Sequence, residues 1–224
     1  TRKRMSVAEF NLVYNCDPTG IGGDIFTSEA YFRPLPANFW AEIEPTCVVG
    51  QAVDLAFSAS KRACFTVILT YAVDPSYRLY VLHVDRAHYS IMETEQRLKD
   101  LIRWTKPLIT TVETEDFHDK TIRTMIRRVI SQIAANIQLE KPRGDKIMRA
   151  RLPAGMAEHG QIYVDHDAPW FRSFMTEVLG FPRMRLKDQV DALSLACLTV
   201  QNMQEAFDRF RTRPRVTETT MRAS

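Results

Sequence analysis

Apolar residues along the chain fall into two kinds of run. Short runs rich in β-branched and aromatic side chains occur at CVVGQAVDLA (47–56), ACFTVILTYAV (63–73), RLYVLHVDRA (78–87), LITTVE (108–113) and QIYVD (161–165). Each predicts a buried or half-buried strand. The second and third are joined by DPSY, a turn former, and predict an antiparallel hairpin. Longer runs space their apolar residues three and four apart and predict helices over 90–105, 119–137, 144–159, 169–180 and 187–207. The first of these opens on Ser90 with Glu93 three residues later, a capping box, and places Ile91, Leu98, Leu101 and Ile102 on one face. Pro153 predicts an interruption or bend in the third, and Gly180 closes the fourth. IQLEK (137–141) is a possible further strand. Strands first, then alternating helices and strands, then a closing helix predict an α/β domain with a central mixed sheet and an antiparallel hairpin.

Two segments fall outside this pattern. Residues 1–46, with DPTGIGGD and FRPLPANFW, are rich in turn formers and predict an irregular lead-in that wraps the domain or links it to something upstream. Residues 209–224 are polar and basic and predict a frayed tail after a domain spanning 47–208. GIGGD lacks the following GK[ST] of a nucleotide-binding loop, so the chain carries no Walker A motif.

Composition narrows the class. With 224 residues, 45% hydrophobic and 25% charged, the chain can bury a sizeable core. The net charge of +3 permits a polyanionic partner without requiring one. No 18-residue apolar run and no signal-peptide pattern is present, so a soluble intracellular protein with no membrane partner is expected. Cys16, Cys47, Cys64 and Cys197 are scattered, without zinc spacing, and are expected to be reduced thiols. Trp40, Trp104 and Trp170 stand among apolar residues and are expected in the core.

The acids carry the chemistry. Asp54 ends the first predicted strand, Glu113 ends the strand after the first helix, and Asp188 and Asp191 lead the last helix. Either aspartate of that pair could cap the helix, but a cap needs one carboxylate, and two on one face repel. Functional groups in α/β sheets gather at strand ends, so four carboxylates from three segments could converge. A site of Asp and Glu without His or Cys suits Mg²⁺ or Mn²⁺ better than zinc. Taken singly, Asp54 could form a turn, and Glu115 or Asp116 could compete with Glu113.

In this order, QAVDLAFS with its hairpin, RLYVLHVDRAHYS with its helix, TTVETE, RGDKIMRARLPAGMAEHGQIYV and FPRMRLKDQVDALSLA resemble the ribonuclease H-like nuclease domain of the large terminase subunit of tailed bacteriophages. FNLVYNCDPTGIGGDIFTSEAYFRPLP resembles the segment joining that family's ATPase motor to its nuclease. The resemblance implies a ribonuclease H-like fold and a metal-dependent DNA endonuclease that cuts concatemeric viral DNA at the start and end of packaging. It implies two divalent cations, Mg²⁺ or Mn²⁺, held by Asp54, Glu113 and Asp188 with Asp191 as a fourth acid; which aspartate ligates more directly stays open. Where the family often shows a paired Asp or His-Asp, this chain has Lys187-Asp188. The partners implied are double-stranded DNA, an upstream ATPase motor domain, the portal and the small terminase subunit. The implied location is the host cytoplasm and, transiently, the viral procapsid. Rival readings are a Holliday-junction resolvase or transposase of the same fold, and a non-catalytic DNA-gripping or motor-docking module. Lys141, Arg143, Lys146, Arg149 and Arg151 within eleven residues are candidate phosphate contacts, as is the helix cluster of Lys120, Arg123, Arg127 and Arg128.

Overall fold

The computed structural model describes residues 25–55, 65–114 and 120–212. Within them lie strands β1 (Arg33–Pro34), β2 (Val48–Asp54), β3 (Thr66–Val73), β4 (Leu79–Ala87), β5 (Ile109–Glu113), β6 (Ile137–Glu140) and β7 (Ile162–Val164). They form one mixed sheet in the order β1-β7-β4-β3-β2-β5-β6. The pairs β2–β3 and β3–β4 are antiparallel, and the remaining neighbours are parallel. Five α-helices accompany the sheet: α1 (Ile91–Thr105), α2 (Lys120–Ile133), α3 (Lys146–Glu158), α4 (Phe171–Gly180) and α5 (Asp188–Thr212).

The sheet is covered on both faces, which is why β3 is apolar almost throughout and buried at every position. On one face Ala52, Val67, Leu69 and Tyr71 pack with residues of α3, α4 and α5. On the other, Val53, Ile68 and Val112 meet Leu98 and Leu101 of α1 and Met125 and Val129 of α2. Gln51 is fully buried in β2 and is satisfied by neighbours: its Nε2 donates to Thr105 Oγ1 at 3.0 Å, and Thr110 Oγ1 donates to its Oε1 at 3.2 Å.

The predicted hairpin and all five predicted helices form, with shifted ends. The capping box closes as expected: Ser90 N–H donates to Glu93 Oε2, and Glu93 N–H to Ser90 Oγ. Ile91, in the first turn, is exposed rather than part of the buried face. Ala134, in the left-handed region at φ 49°, stops α2 after Ile133 and frees Ile137 for β6. α3 runs unbroken through Pro153, because Ala150, Pro153, Ala154 and Ala157 are all buried and packing holds the turn that the proline weakens. α5 continues to Thr212, beyond the expected end at Phe207, so Arg209 and Arg211 belong to the helix and not to a tail.

The described part of the lead-in, 25–46, is built into the domain. Arg33–Pro34 pairs with β7, Phe26 and Phe32 join the larger core, and Phe39 packs on Tyr80 with ring centroids 4.8 Å apart. The tryptophans depart from expectation. Trp40 is 60% and Trp104 67% exposed, each set edge-on against an aromatic neighbour, Phe39 and His83, while Trp170 packs against the core. The DPTGIGGD segment, Cys16, Cys64, Glu115, Asp116 and residues 213–224 lie outside the described residues.

Gly50 sits under the Tyr71 ring of its cross-strand partner, where an added Cβ would meet Tyr71 Cζ at 2.5 Å. Gly50→Ala is therefore expected to lower unfolding stability by about 1–3 kcal/mol through overpacking, measured by urea denaturation. An unchanged midpoint would refute that tight approach.

Candidate metal centre

Strand register brings the first two acids together. Asp54 and Glu113 are direct partners at the ends of the parallel pair β2–β5, so their side chains leave the same face. That face is the one covered by α5, as the hydrogen bond from Thr199 Oγ1 to Thr111 Oγ1 at 3.2 Å shows. α5 begins at Asp188, which sets Asp188 and Asp191 over the strand ends. Both are nearly enclosed, at 7% and 3% exposure. The four acids expected from the sequence thus lie within electrostatic reach of one another, Asp54 feeling the charges of Asp191, Glu113 and Asp188.

Neither aspartate of α5 caps the helix through a hydrogen bond among the described residues. Asp188 Oδ2 accepts from Phe65 N–H at 3.0 Å, at the entry to β3. Asp191 Oδ1 accepts from Arg149 Nη2 at 2.8 Å, and its Oδ2 is bound by Lys146 Nζ. The cap comes from α4: Glu177 Oε1 accepts from Gln189 N–H at 2.6 Å. Lys187 turns away, its ammonium 5.7 Å from the Phe181 ring centroid.

The basic residues expected to touch DNA divide into two groups. Arg149 bridges the cluster, donating from Nη1 to Glu113 Oε1 at 3.0 Å as well as to Asp191, and its side chain is 15% exposed. Lys146 reaches Asp191 from a half-exposed position. Arg127 and Arg143 are exposed, and Arg151 is half-buried on α3. α3 thus turns Lys146 and Arg149 toward the acids.

Electrostatics records the crowding. Burial, then the charges of Asp191, Glu113 and Asp188, push the Asp54 carboxyl well above the usual carboxylate range, with Lys146 opposing. Asp54 nevertheless keeps part of its surface open to solvent. Burial also raises Glu113; Arg149 draws it back, and Asp191 adds to the rise. Burial disfavours the Lys146 ammonium, but its bond to Asp191 and the charges of Asp191, Asp54 and Asp188 outweigh that and raise its pKa.

Four acids face two cations here, and the raised pKa values of Asp54 and Glu113 reflect a crowding of carboxyl groups that a divalent ion would relieve by favouring their charged forms. The oxygen-only donor set fits a hard cation. As the side chains stand, no three Asp, Glu, His or Cys among the described residues are grouped to hold a metal, and Arg149 and Lys146 supply the compensating charge instead. Sequence reading missed Glu140, which pairs in register with Glu113 and extends the acidic row across β2, β5 and β6. The acid closing IQLE was its only signal. It also missed Glu177 and Arg86, whose role depends on contacts remote in sequence.

A raised carboxyl pKa means that the folded state holds its proton more tightly than the unfolded chain does. Stability from this source is fully present below the ordinary carboxylate pKa and is lost as pH rises through the folded value. In metal-free buffer Asp54→Asn is therefore expected to melt above wild type near neutral pH, by about 2–4 °C per kcal/mol relieved, with the gap closing toward acid pH. A gap independent of pH would contradict the proposed crowding.

No protein-family model matches the sequence, and a search of curated proteins finds no similar one. Among solved structures, the large terminase nuclease from thermophilic phage G20c is similar, with a TM-score of 0.58 and 14% identity over 78% of this chain and 97% of that chain. Its magnesium-bound form gives 0.57 and 15% over 79% and 97%, and its cobalt-bound form 0.58 and 14% over 78% and 96%. At this identity the likeness concerns the fold, and with the strand order found here it establishes that the chain has the ribonuclease H-like fold.

Proposed function

We propose that this protein is a nuclease of the ribonuclease H-like fold, a metal-dependent DNA endonuclease that serves as the cutting domain of a viral DNA-packaging terminase. The observation that carries the reading is the meeting of Asp54 and Glu113, in register at adjacent strand ends, with Asp188 and Asp191 of α5. Solved relatives of the fold that are terminase nucleases, including forms with bound magnesium and cobalt, support it.

In this reading Asp54, Glu113, Asp188 and Asp191 hold two divalent ions, Mg²⁺ or Mn²⁺. Such ions, when bound, supply an activated water and stabilise the leaving oxygen of a phosphodiester. The chain's own residues do the rest. Phe65 N–H fixes the Asp188 carboxylate, the β2–β5 register fixes the spacing of Asp54 from Glu113, and Arg149 and Lys146 hold Asp191 in their absence. Exposed Arg127 and Arg143 suit the DNA backbone, as sequence-independent phosphate contacts. Packaging partners (an ATPase motor domain, the portal and a small terminase subunit) and a location on the procapsid belong to the same proposal. A second reading, a non-catalytic DNA grip, draws on the occupation of the acids by Lys146 and Arg149.

Nicking and linearisation of supercoiled plasmid with Mg²⁺, Mn²⁺ or EDTA separates the two. Metal-dependent cutting is expected, and is expected to be lost in Asp54→Asn and Asp188→Asn. DNA binding without cutting under either metal would favour the grip, and preferential cutting of a four-way junction would favour a resolvase. Arg143→Ala and Arg127→Ala are each expected to flatten the salt dependence of DNA binding by about 0.9 in log–log slope. An unchanged slope would remove that residue from the interface.

A further inference from the structure

On the side of the acid cluster formed by β3, β4 and α4, a closed ring of contacts returns to Asp188. Phe65 N–H donates to Asp188 Oδ2 at 3.0 Å. The Arg86 guanidinium, from β4, lies over the Phe65 ring with Cζ 4.0 Å from the centroid. Arg86 Nη2 is 3.5 Å from Glu177 Oε2. Glu177, 2% exposed on α4, takes Gln189 N–H at 2.6 Å and Gln189 Nε2 at 2.9 Å. Gln189 is joined to Asp188 by a peptide bond, and the ring closes.

Each link fixes something that the metal reading needs. The bond from Gln189 N–H satisfies an orphan donor of the first turn of α5, so Glu177 sets where that helix begins. The Phe65 amide sets the rotation of the Asp188 carboxylate, and the Phe65 ring is held by the Arg86 guanidinium together with the His88 ring stacked on it at 3.8 Å between centroids. Arg86 is mostly enclosed, and its Nε and Nη2 make no hydrogen bond among the described residues. A buried, incompletely satisfied guanidinium is costly, and a plain apolar filler would pack the same space more cheaply. Its place over Phe65, the residue whose amide binds Asp188, points to a task that needs charge and planarity together.

We infer that Arg86 and Glu177 are positioning residues that pre-set Asp188 for metal binding, acting through the Phe65 amide and the first turn of α5. The inference rests on the reading of Asp188 as a metal ligand. Groups that orient ligands in this way typically change metal affinity by about 10–100-fold when altered.

The test is Mn²⁺ titration of the whole chain by calorimetry, without DNA, at temperatures below each variant's melting point. Glu177→Gln and Arg86→Met are each expected to weaken Mn²⁺ binding about tenfold, and the double variant by no more than the weaker-binding single, because the ring acts as one unit. Arg86→Lys, which keeps the charge but not the planar stack, covers the case in which Arg86→Met fails to fold, and is also expected to bind more weakly. Glu95→Gln serves as the comparison: it breaks a buried ion pair with Lys99 in α1, remote from the acids, and is expected to lower the melting point with Mn²⁺ affinity unchanged. Wild-type affinity in Glu177→Gln and Arg86→Lys, alongside weakened binding in Asp188→Asn, would overturn the positioning role while leaving the metal site standing. Wild-type affinity in Asp188→Asn would instead overturn the metal reading and the inference with it.

Discussion

The parallel register between β2 and β5 is the constraint on which the rest depends. Because strand side chains alternate, a slip of one residue would turn Asp54 or Glu113 to the opposite face, among Leu98, Met125 and Val129 of the second core. The register is held from both sides. Val53 and Val112 are buried under α1 and α2, while Ala52 packs with α5 and Thr111 is bound by Thr199 of α5. The Gln51 amide, bonded to Thr105 and Thr110, adds a polar lock that a slipped pairing would leave buried and unsatisfied. The acids therefore meet because the apolar residues beside them can be buried in only one way.

Gathering carboxylates in a poorly hydrated place costs free energy, and the fold answers with cations from α3. Arg149 spans Glu113 and Asp191 with its fork, a geometry that lysine cannot reproduce, while Lys146 reaches Asp191 from the rim on a flexible stem. Asp54 has no ion pair among the described residues, and its carboxyl is pushed up by burial first and then by the charges of Asp191, Glu113 and Asp188. Asp188 is treated differently: it is held by a backbone amide and steadied by a buried pair behind it. The two halves of the cluster are thus stabilised by different means, side-chain cations from α3 on one side and a backbone amide on the other.

Much of this was legible in the sequence where the signal was local. The capping box at Ser90 and Glu93, the hairpin at DPSY and the alternation through ACFTVILTYAV needed only neighbouring residues to be read, and so did the acids at the ends of their strands. Expectations failed where tertiary packing overrode local preference. Pro153 does not break α3, because its neighbours on that face are buried. Trp40 and Trp104 stay largely exposed despite apolar neighbours, because hydrophobic sequence context does not say which side of an element faces the core. Residues 33–34, too short to show a period, add a strand whose pairing is set by β7.

The sequence by itself determined the kind and order of the longer elements, the placing of Asp54 and Glu113 at strand ends, and the lead of Asp188 and Asp191 into the last helix. These follow from period, turn chemistry and charge, all read within a window of a few residues. Only the tertiary structure decided which acids share a face, that Lys146 and Arg149 turn inward to them, and that Glu177 rather than either aspartate caps α5. Each of those facts is a contact between groups far apart along the chain, from the twelve residues separating Glu177 and Gln189 to the 123 separating Phe65 and Asp188. Such pairings are fixed by how the layers pack, and no local pattern encodes them.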